Sequence, residues 1–407
     1  MTDVPASNAP VTNLMGTYRR APVRFVEGDG CVLVADDGRR YLDFLSGLAV
    51  TSLGHAHPGV AEAICAQARR LMHVSNLFDN ELADEVAGTL DRLIGDGSPA
   101  GGKVFFANSG AEANECALKL ARRFGGRGRH VVISGLGGFH GRTLATLHAT
   151  GQPEKHEAFQ PLPEGFRHVA YGDLDQVAAA ADPAVVAGIL VEAIQGEAGV
   201  VVPPPGYLRG LRQLCDERQI LLMLDEVQTG LARTGRWFGF QHEGVQPDVV
   251  TMAKALGNGM PVGACWARAE VAEVFVAGDH GSTFGGQPLA MAAAKATLEA
   301  LEAIEAPRQA TERGAQLRDA LGGLPGVTGV RGAGLLLGVM LEPGLSAPAI
   351  AAAALSAGLV INAPTPSLLR LAPPLIVSAA ECEEAVSMIA ALLSEAVAAT
   401  TLGGSPR

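Results

Sequence analysis

Ile220-Leu221-Leu222-Met223-Leu224-Asp225 and, further on, Val249-Val250-Thr251-Met252-Ala253-Lys254 share one pattern: an unbroken apolar run that stops at an ionisable side chain. A short apolar run without polar alternation reads as a strand covered on both faces, the habit of parallel sheets sandwiched between helices. Residues 104–107, 131–134, 187–191 and 263–267 repeat the pattern, with amphipathic helical stretches between them. Strands alternating with helices predict an α/β fold with a mostly parallel sheet. In such sheets ligands bind beyond the carboxyl ends of the strands. Asp225 and Lys254 stand at those exits, so the chemistry is expected there.

Outward from this centre the texture changes. Residues 289–304 and 309–321 read as helices, and strands resume at 327–330 and 335–341. The last helix opens at Ser378-x-x-Glu381, a capping-box pattern, with Val386, Ile389, Ala390 and Leu393 on one face. Residues 25–41 read as strands around the turns Gly28-Asp29-Gly30 and Asp37-Gly38; with no core of their own, they are expected to join the C-terminal unit. The expected boundaries are 14–55 for this N-terminal segment, 56–305 for a large domain and 306–400 for a smaller α+β domain. Residues 1–13 and 403–407, rich in small and polar residues, are expected to fray.

The composition is 48% hydrophobic and 18% charged, a globular balance far from that of disordered chains. A formal charge of −11 repels phosphate backbones and anionic lipid, so neither nucleic acid nor a membrane surface is an expected partner. No run of eighteen apolar residues occurs, and the first thirteen residues carry no basic, then apolar, leader pattern. Six cysteines are scattered without C-x-x-C pairs and read as buried small hydrophobes in a reducing compartment. A cytoplasmic protein is expected.

Only five lysines occur, at 103, 119, 155, 254 and 295. Lys119 and Lys295 fall within helical patterns, Lys103 precedes a strand and Lys155 lies in a polar loop. Lys254 sits between an apolar strand and the low-charge turn Ala255-Leu256-Gly257-Asn258-Gly259, where desolvation lowers an amine's pKa and leaves it nucleophilic. Taken alone, an exposed lysine would explain that position as well. Asp225, taken alone, could cap a loop. If their strands are neighbours, both side chains face one ligand, and a carboxylate beside a pyridine nitrogen keeps it protonated and makes the ring an electron sink. Gln228 could donate to such a ring's phenolic oxygen. Asn108-Ser109-Gly110-Ala111-Glu112 follows a strand and opens a helix, so its free N–H groups form a phosphate cradle, or Ser109 is a plain N-cap. His55 and His57 have no third ligand nearby and read as a structural turn; no metal is expected, and Glu192 reads as structural.

These segments, with Leu53-Gly54-His55-Ala56-His57-Pro58, Phe139-His140-Gly141-Arg142-Thr143, Gln195-Gly196-Glu197-Ala198-Gly199, Asp225-Glu226-Val227-Gln228-Thr229-Gly230, Ala253-Lys254-Ala255-Leu256-Gly257, Gly281-Ser282-Thr283-Phe284-Gly285 and Arg370-Leu371-Ala372-Pro373-Pro374, carry a resemblance. The chain resembles the class III (ω-amino) aminotransferases, most specifically the bacterial acetylornithine aminotransferases, from about residue 18 to 397. The resemblance implies the fold of aspartate aminotransferase (fold type I) and pyridoxal 5'-phosphate as cofactor, linked to Lys254, with Asp225 at the ring nitrogen. Ser109, Gly110 and Ala111 would hold the phosphate, and Phe139 and Val227 would sandwich the ring beside Gln228. Thr283, with Ser282, would reach the phosphate of the other subunit's cofactor, which implies a homodimer with shared sites; Ser282 is also grouped with the substrate contacts.

The same resemblance makes Arg142 and Arg370 carboxylate clamps, a task that suits a guanidinium fork. Arg142 would hold the distal carboxylate and Arg370 the α-carboxylate of glutamate. When an ω-amine donor is bound, Arg370 would face no carboxylate, and an unpaired buried cation is costly. Glu197 would mask it then and swing aside for glutamate; a permanent brace is the alternative. Leu48, where ornithine aminotransferases carry a tyrosine, favours an apolar or acylated donor. Leu136-Gly137-Gly138 and Gln287 also depart from the family's usual residues. The implied reaction moves the terminal amine of N-acetylornithine to 2-oxoglutarate in arginine biosynthesis; succinylornithine, ornithine, 4-aminobutyrate or an N-acyl-lysine-type donor, or an aminomutase, are the alternatives.

Overall fold

The computed structural model describes residues 13–403, so most of the segments expected to fray lie outside the described residues. Its centre is a seven-stranded sheet in the order Gly102–Ala107, Gly263–Arg268, Val249–Met252, Leu221–Asp225, Val186–Glu192, Val131–Gly135, Phe166–Val169. The last five pair in parallel, while Gly263–Arg268 runs antiparallel to both neighbours. The apolar runs form strands because both faces are covered: every residue of Leu221–Asp225, Val249–Met252 and Val186–Glu192 is buried. The sequence missed Phe166–Val169, whose Arg167 and His168 break the apolar run; an edge strand tolerates them because one side has no neighbour. The first strand starts at Gly102, so Lys103 lies in it rather than before it.

Two smaller sheets flank this one. Phe25–Asp29, Val32–Ala35 and Arg40–Asp43 form an antiparallel meander, and Leu359–Val360, from the far end of the chain, adds in parallel to Arg40–Asp43. Val327–Ala333, Leu336–Leu341, Leu368–Leu371 and Asn362–Thr365 form the other. Helix Ala379–Gly403 begins with the expected capping box: Glu381 Oε2 accepts from Ser378 N at 2.7 Å, and Ser378 Oγ accepts from Glu381 N at 3.2 Å.

Five of the cysteines are buried, but Cys65 is exposed, correcting the reading of all six as buried; it lies on the outer side of helix Pro58–Arg70. His55 Nε2 lies 2.8 Å from Asp43 Oδ2, and His57 Nδ1 caps that helix at Val60 N, 3.4 Å, so both histidines serve the turn. No group of three or more His, Cys, Asp or Glu side chains among the described residues could hold a metal, and no described helix is long and apolar enough to cross a membrane.

Candidate active site

The strands of Asp225 and Lys254 are adjacent and parallel, with Asp225 in register with Thr251. Both side chains therefore leave the sheet at the same end and line one cavity of about 400 Å³. Lys254 follows the strand with φ +46°, a left-handed conformation that costs a lysine about 1–2 kcal/mol and is retained where surrounding structure dictates it. Burial pushes the Lys254 ammonium below the usual lysine range; Asp225 opposes the shift and the charge of Arg370 adds to it. The amine is thus shifted toward its neutral, nucleophilic form.

Asp225 is held from several sides. Its Oδ2 accepts from Asn114 Nδ2 at 2.7 Å and lies 2.8 Å from His140 Nδ1, while Oδ1 accepts from Val227 N at 3.0 Å. Asn114 is fixed in turn, accepting from Thr251 Oγ1 at 2.7 Å and donating to the His140 carbonyl at 2.8 Å. All four side chains are buried, and His140 Nε2 has no partner among the described residues. Asn114, His140 and Thr251 escaped the sequence reading. The available signal was an amide on the buried face of helix Gly110–Gly125, spaced with Ala117, Leu118 and Ala121.

At that helix's N-terminus, Ser109 Oγ accepts from Glu112 N at 3.2 Å, so Ser109 is an N-cap and also lines the cavity. The N–H groups of Gly110 and Ala111 have no acceptor among the described residues. A Cβ at Gly110 would lie 2.9 Å from Val227 Cγ1, so only glycine lets this turn sit against Val227. Phe139 and Val227 both line the cavity, as do Gln228, Arg142 and Glu197.

Four expected site residues lie elsewhere. Arg370 is buried behind the wall: Nη1 lies 3.5 Å from Glu197 Oε1 and donates to Gly196 O at 3.1 Å and Gln228 Oε1 at 3.3 Å, and Nε donates to Asn362 Oδ1 at 3.1 Å. Burial lowers its pKa and Glu197 opposes the shift. Gln228 packs so closely that a Cβ at Gly196 would overlap it. Ser282 and Thr283 line a separate recess with Glu112 and Glu115, and Asn108 touches both spaces, donating to Ser282 Oγ at 3.1 Å. Leu48 is exposed on a left-handed turn, Ser46 to Ala49, and Val50 lines the cavity in its place. Glu192, read as structural, braces the site and also lines it: its carboxylate accepts from Phe139 N and Gly196 N, each at 3.1 Å. Burial pushes its carboxyl up to about 7.

A family model, Aminotransferase class-III, matches residues 16–393. The chain belongs to the class III aminotransferases. It is 46% identical over 387 residues to an acetylornithine aminotransferase of Corynebacterium efficiens, covering 94% of this chain and 95% of the relative. One from Gloeobacter violaceus is 48% identical over 387 residues, covering 93% and 94%. Among solved structures, an ornithine aminotransferase from Toxoplasma gondii, with pyridoxal phosphate at partial occupancy in its active site, superposes with TM-score 0.89 at 34% identity, covering 95% of this chain and 93% of the other.

This aminotransferase is therefore pyridoxal-phosphate dependent, and its cavity fits that group. The free N–H pair at the helix start suits a phosphate, the amine at Lys254 suits an aldehyde, and the anchored carboxylate of Asp225 suits a protonated ring nitrogen.

Proposed function

We propose that the protein transfers the terminal amino group of N-acetylornithine to 2-oxoglutarate, giving N-acetylglutamate 5-semialdehyde and glutamate, as a step of arginine biosynthesis in the cytoplasm. The observation that carries this is the Glu197–Arg370 pair, 3.5 Å apart behind a cavity that holds Arg142 with no carboxylate partner among the described residues. A site serving two molecules needs one carboxylate clamp always open and one that can be masked. Arg142 meets the first need and Arg370 the second.

Pyridoxal phosphate, when bound, supplies an aldehyde that takes up the donor amine and a protonated ring that accepts the electron pair left by a departing proton. Ser109, Gly110 and Ala111 would hold its phosphate end, and Phe139, Val227 and Gln228, which line the same cavity, would hold the ring. Lys254 Nζ would hold the aldehyde carbon at rest and, once the donor amine displaces it, would be free to take the proton from the substrate carbon that bears that amine. Asp225 would keep the proton on the ring nitrogen, and Asn114, His140 and Val227 N keep Asp225 from turning away. Glu197 neutralises Arg370 while the donor's apolar chain is bound, and releases it to the α-carboxylate of glutamate.

The enzyme works as a homodimer with shared sites, Ser282 and Thr283 contributing to the partner's cavity; the recess at Ser282 that opens beside Asn108 supports this. The division into 56–305 on one side and 14–55 joined to 306–400 on the other is supported by the sheets: Leu359–Val360 pairs with Arg40–Asp43, while the seven-stranded sheet lies wholly within 56–305. Steady-state rates with a panel of ω-amines at fixed 2-oxoglutarate test the reading. N-acetylornithine should show the highest kcat/KM, and a clear lead for ornithine or 4-aminobutyrate would overturn it.

A further inference from the structure

Lys155 has no role in the reaction as described, yet it is not a surface lysine of the loop. It closes the short turn Pro153–Lys155 and is half-buried, with Nζ 5.8 Å from the centre of the Phe139 ring. Arg142 Cζ lies 5.5 Å from the same centre. Lys155 donates to Gln152 Oε1, and Gln152 Nε2 donates to the carbonyls of Gly137 and Gly138 at 3.3 and 3.1 Å, the residues that lead into Phe139. Through Gln152 its ammonium is tied to the turn that leads into Phe139, and Phe139 lines the cavity. Among the described residues neither cation has a carboxylate within ion-pairing distance. Burial, and after it the charge of Arg142, lowers the pKa of Lys155, while Glu197 and Glu154 oppose the shift. Two like charges held against one ring, neither with an ion-pair partner among the described residues, are unfavourable until a ligand meets them, and such perturbed pairs mark candidate binding sites.

We propose that Arg142 and Lys155 form a two-part anchor for the far end of the amino donor: Arg142 holds its carboxylate, and Lys155 donates to the acyl carbonyl on the adjacent nitrogen and repels a free ammonium there. The anchor selects N-acylated α-amino acids over their free counterparts. The reasoning is geometric. In the donor, the carboxylate and the acylated nitrogen hang on one carbon, so a cation beside the carboxylate clamp addresses whatever that nitrogen carries. Acylation removes a positive charge and adds an acceptor oxygen. Free ornithine keeps the charge and meets an ammonium. Repulsion between two cations in a half-buried site, together with one charged hydrogen bond, is worth discrimination on the order of ten- to a hundredfold.

The inference rests on the reading of the cavity as a site for N-acetylornithine, and two measurements on the holoenzyme separate them. The first is the ratio of kcat/KM for N-acetylornithine over ornithine in wild type, Lys155→Gln and Lys155→Arg. The second is calorimetric binding of N-acetyl-L-norvaline against L-norvaline, which keep the anchor groups and lack the transferred amine. Lys155→Gln should lower the ratio about tenfold, through a higher KM for the acylated donor and a lower one for ornithine, and narrow the norvaline gap by a similar factor; Lys155→Arg should retain most of both. If wild type prefers N-acetylornithine and Lys155→Gln changes neither quantity, the anchor is wrong and the reading of the site stands. If wild type turns over neither donor, the reading fails and takes the anchor with it.

Discussion

The two ends of the cavity are built differently. At the cofactor end, Asp225 leaves a fully buried strand and meets three donors or ring nitrogens within 3.0 Å. At the substrate end, Arg142 is exposed and without an ion-pair partner among the described residues, Lys155 is tied to one amide, and Arg370 meets Glu197 at 3.5 Å, longer than a tight pair. A strand imposes the position of Asp225, while a loop carries Arg142 and a short turn carries Lys155; Arg370 sits on strand Leu368–Leu371. The chemistry is thus fixed by buried, over-determined side chains, and the open part of the substrate end is formed by Arg142 and Lys155, which have no ion-pair partner among the described residues.

If that contrast is right, damage should grow toward the rigid end. Lys254→Ala should lower turnover by at least ~10⁴-fold, the upper range for a positioned proton-transfer group, checked by steady-state and single-turnover rates. Asp225→Asn should still bind cofactor, seen spectroscopically, yet lose about 10²–10³-fold in kcat, as other electrostatic stabilisers do. Near-wild-type turnover of Asp225→Asn would erase the distinction between the two ends.

The substrate end should give smaller and more selective effects. Arg142→Ala should weaken both half-reactions by roughly ten- to a hundredfold in kcat/KM, the loss of a charged hydrogen-bonded contact at a partly solvated site. Glu197→Gln should separate the halves instead: a single-turnover rate several-fold to about tenfold lower with N-acetylornithine, and a spared or faster glutamate half, because only the first leaves Arg370 unmasked. Equal slowing of both halves would make the pair a static brace, as rigid as the cofactor end.

The central sheet was legible because strands buried on both faces leave plain apolar runs, and Asp225 and Lys254 were legible because each interrupts such a run. Asn114, His140 and Thr251 were not. Their partners are distant in the chain, and one buried amide on a helix face carries no sign of what it bonds. Leu48 and Arg370 show the opposite limit: the motif located them in the chain, but only folding put Leu48 outside the cavity wall and Arg370 behind Glu197. Lys155 looked like a loop lysine because its surroundings come from the Gly137–Gly138 turn and Phe139.

The smallest expected effect lies at Glu192, which joins the two ends. Its carboxyl is raised from an ordinary 4.5 to about 7, so its contribution to stability is intact below 4.5 and is lost as pH rises through 7. Glu192→Gln should therefore shrink the fall in Tm between pH 5 and pH 8 by roughly 2–4 °C. An unchanged fall would place the titration elsewhere.

The central claim is that Lys254, facing Asp225 across adjacent strands, is the amine that holds the cofactor. Borohydride reduction of the holoenzyme, followed by peptide mapping, tests it directly, since reduction fixes pyridoxal phosphate to whichever lysine carries it. The account predicts the label on the peptide containing Lys254 and none on those containing Lys103, Lys119, Lys155 or Lys295. Label on any of those four, with Lys254 unmodified, would contradict it.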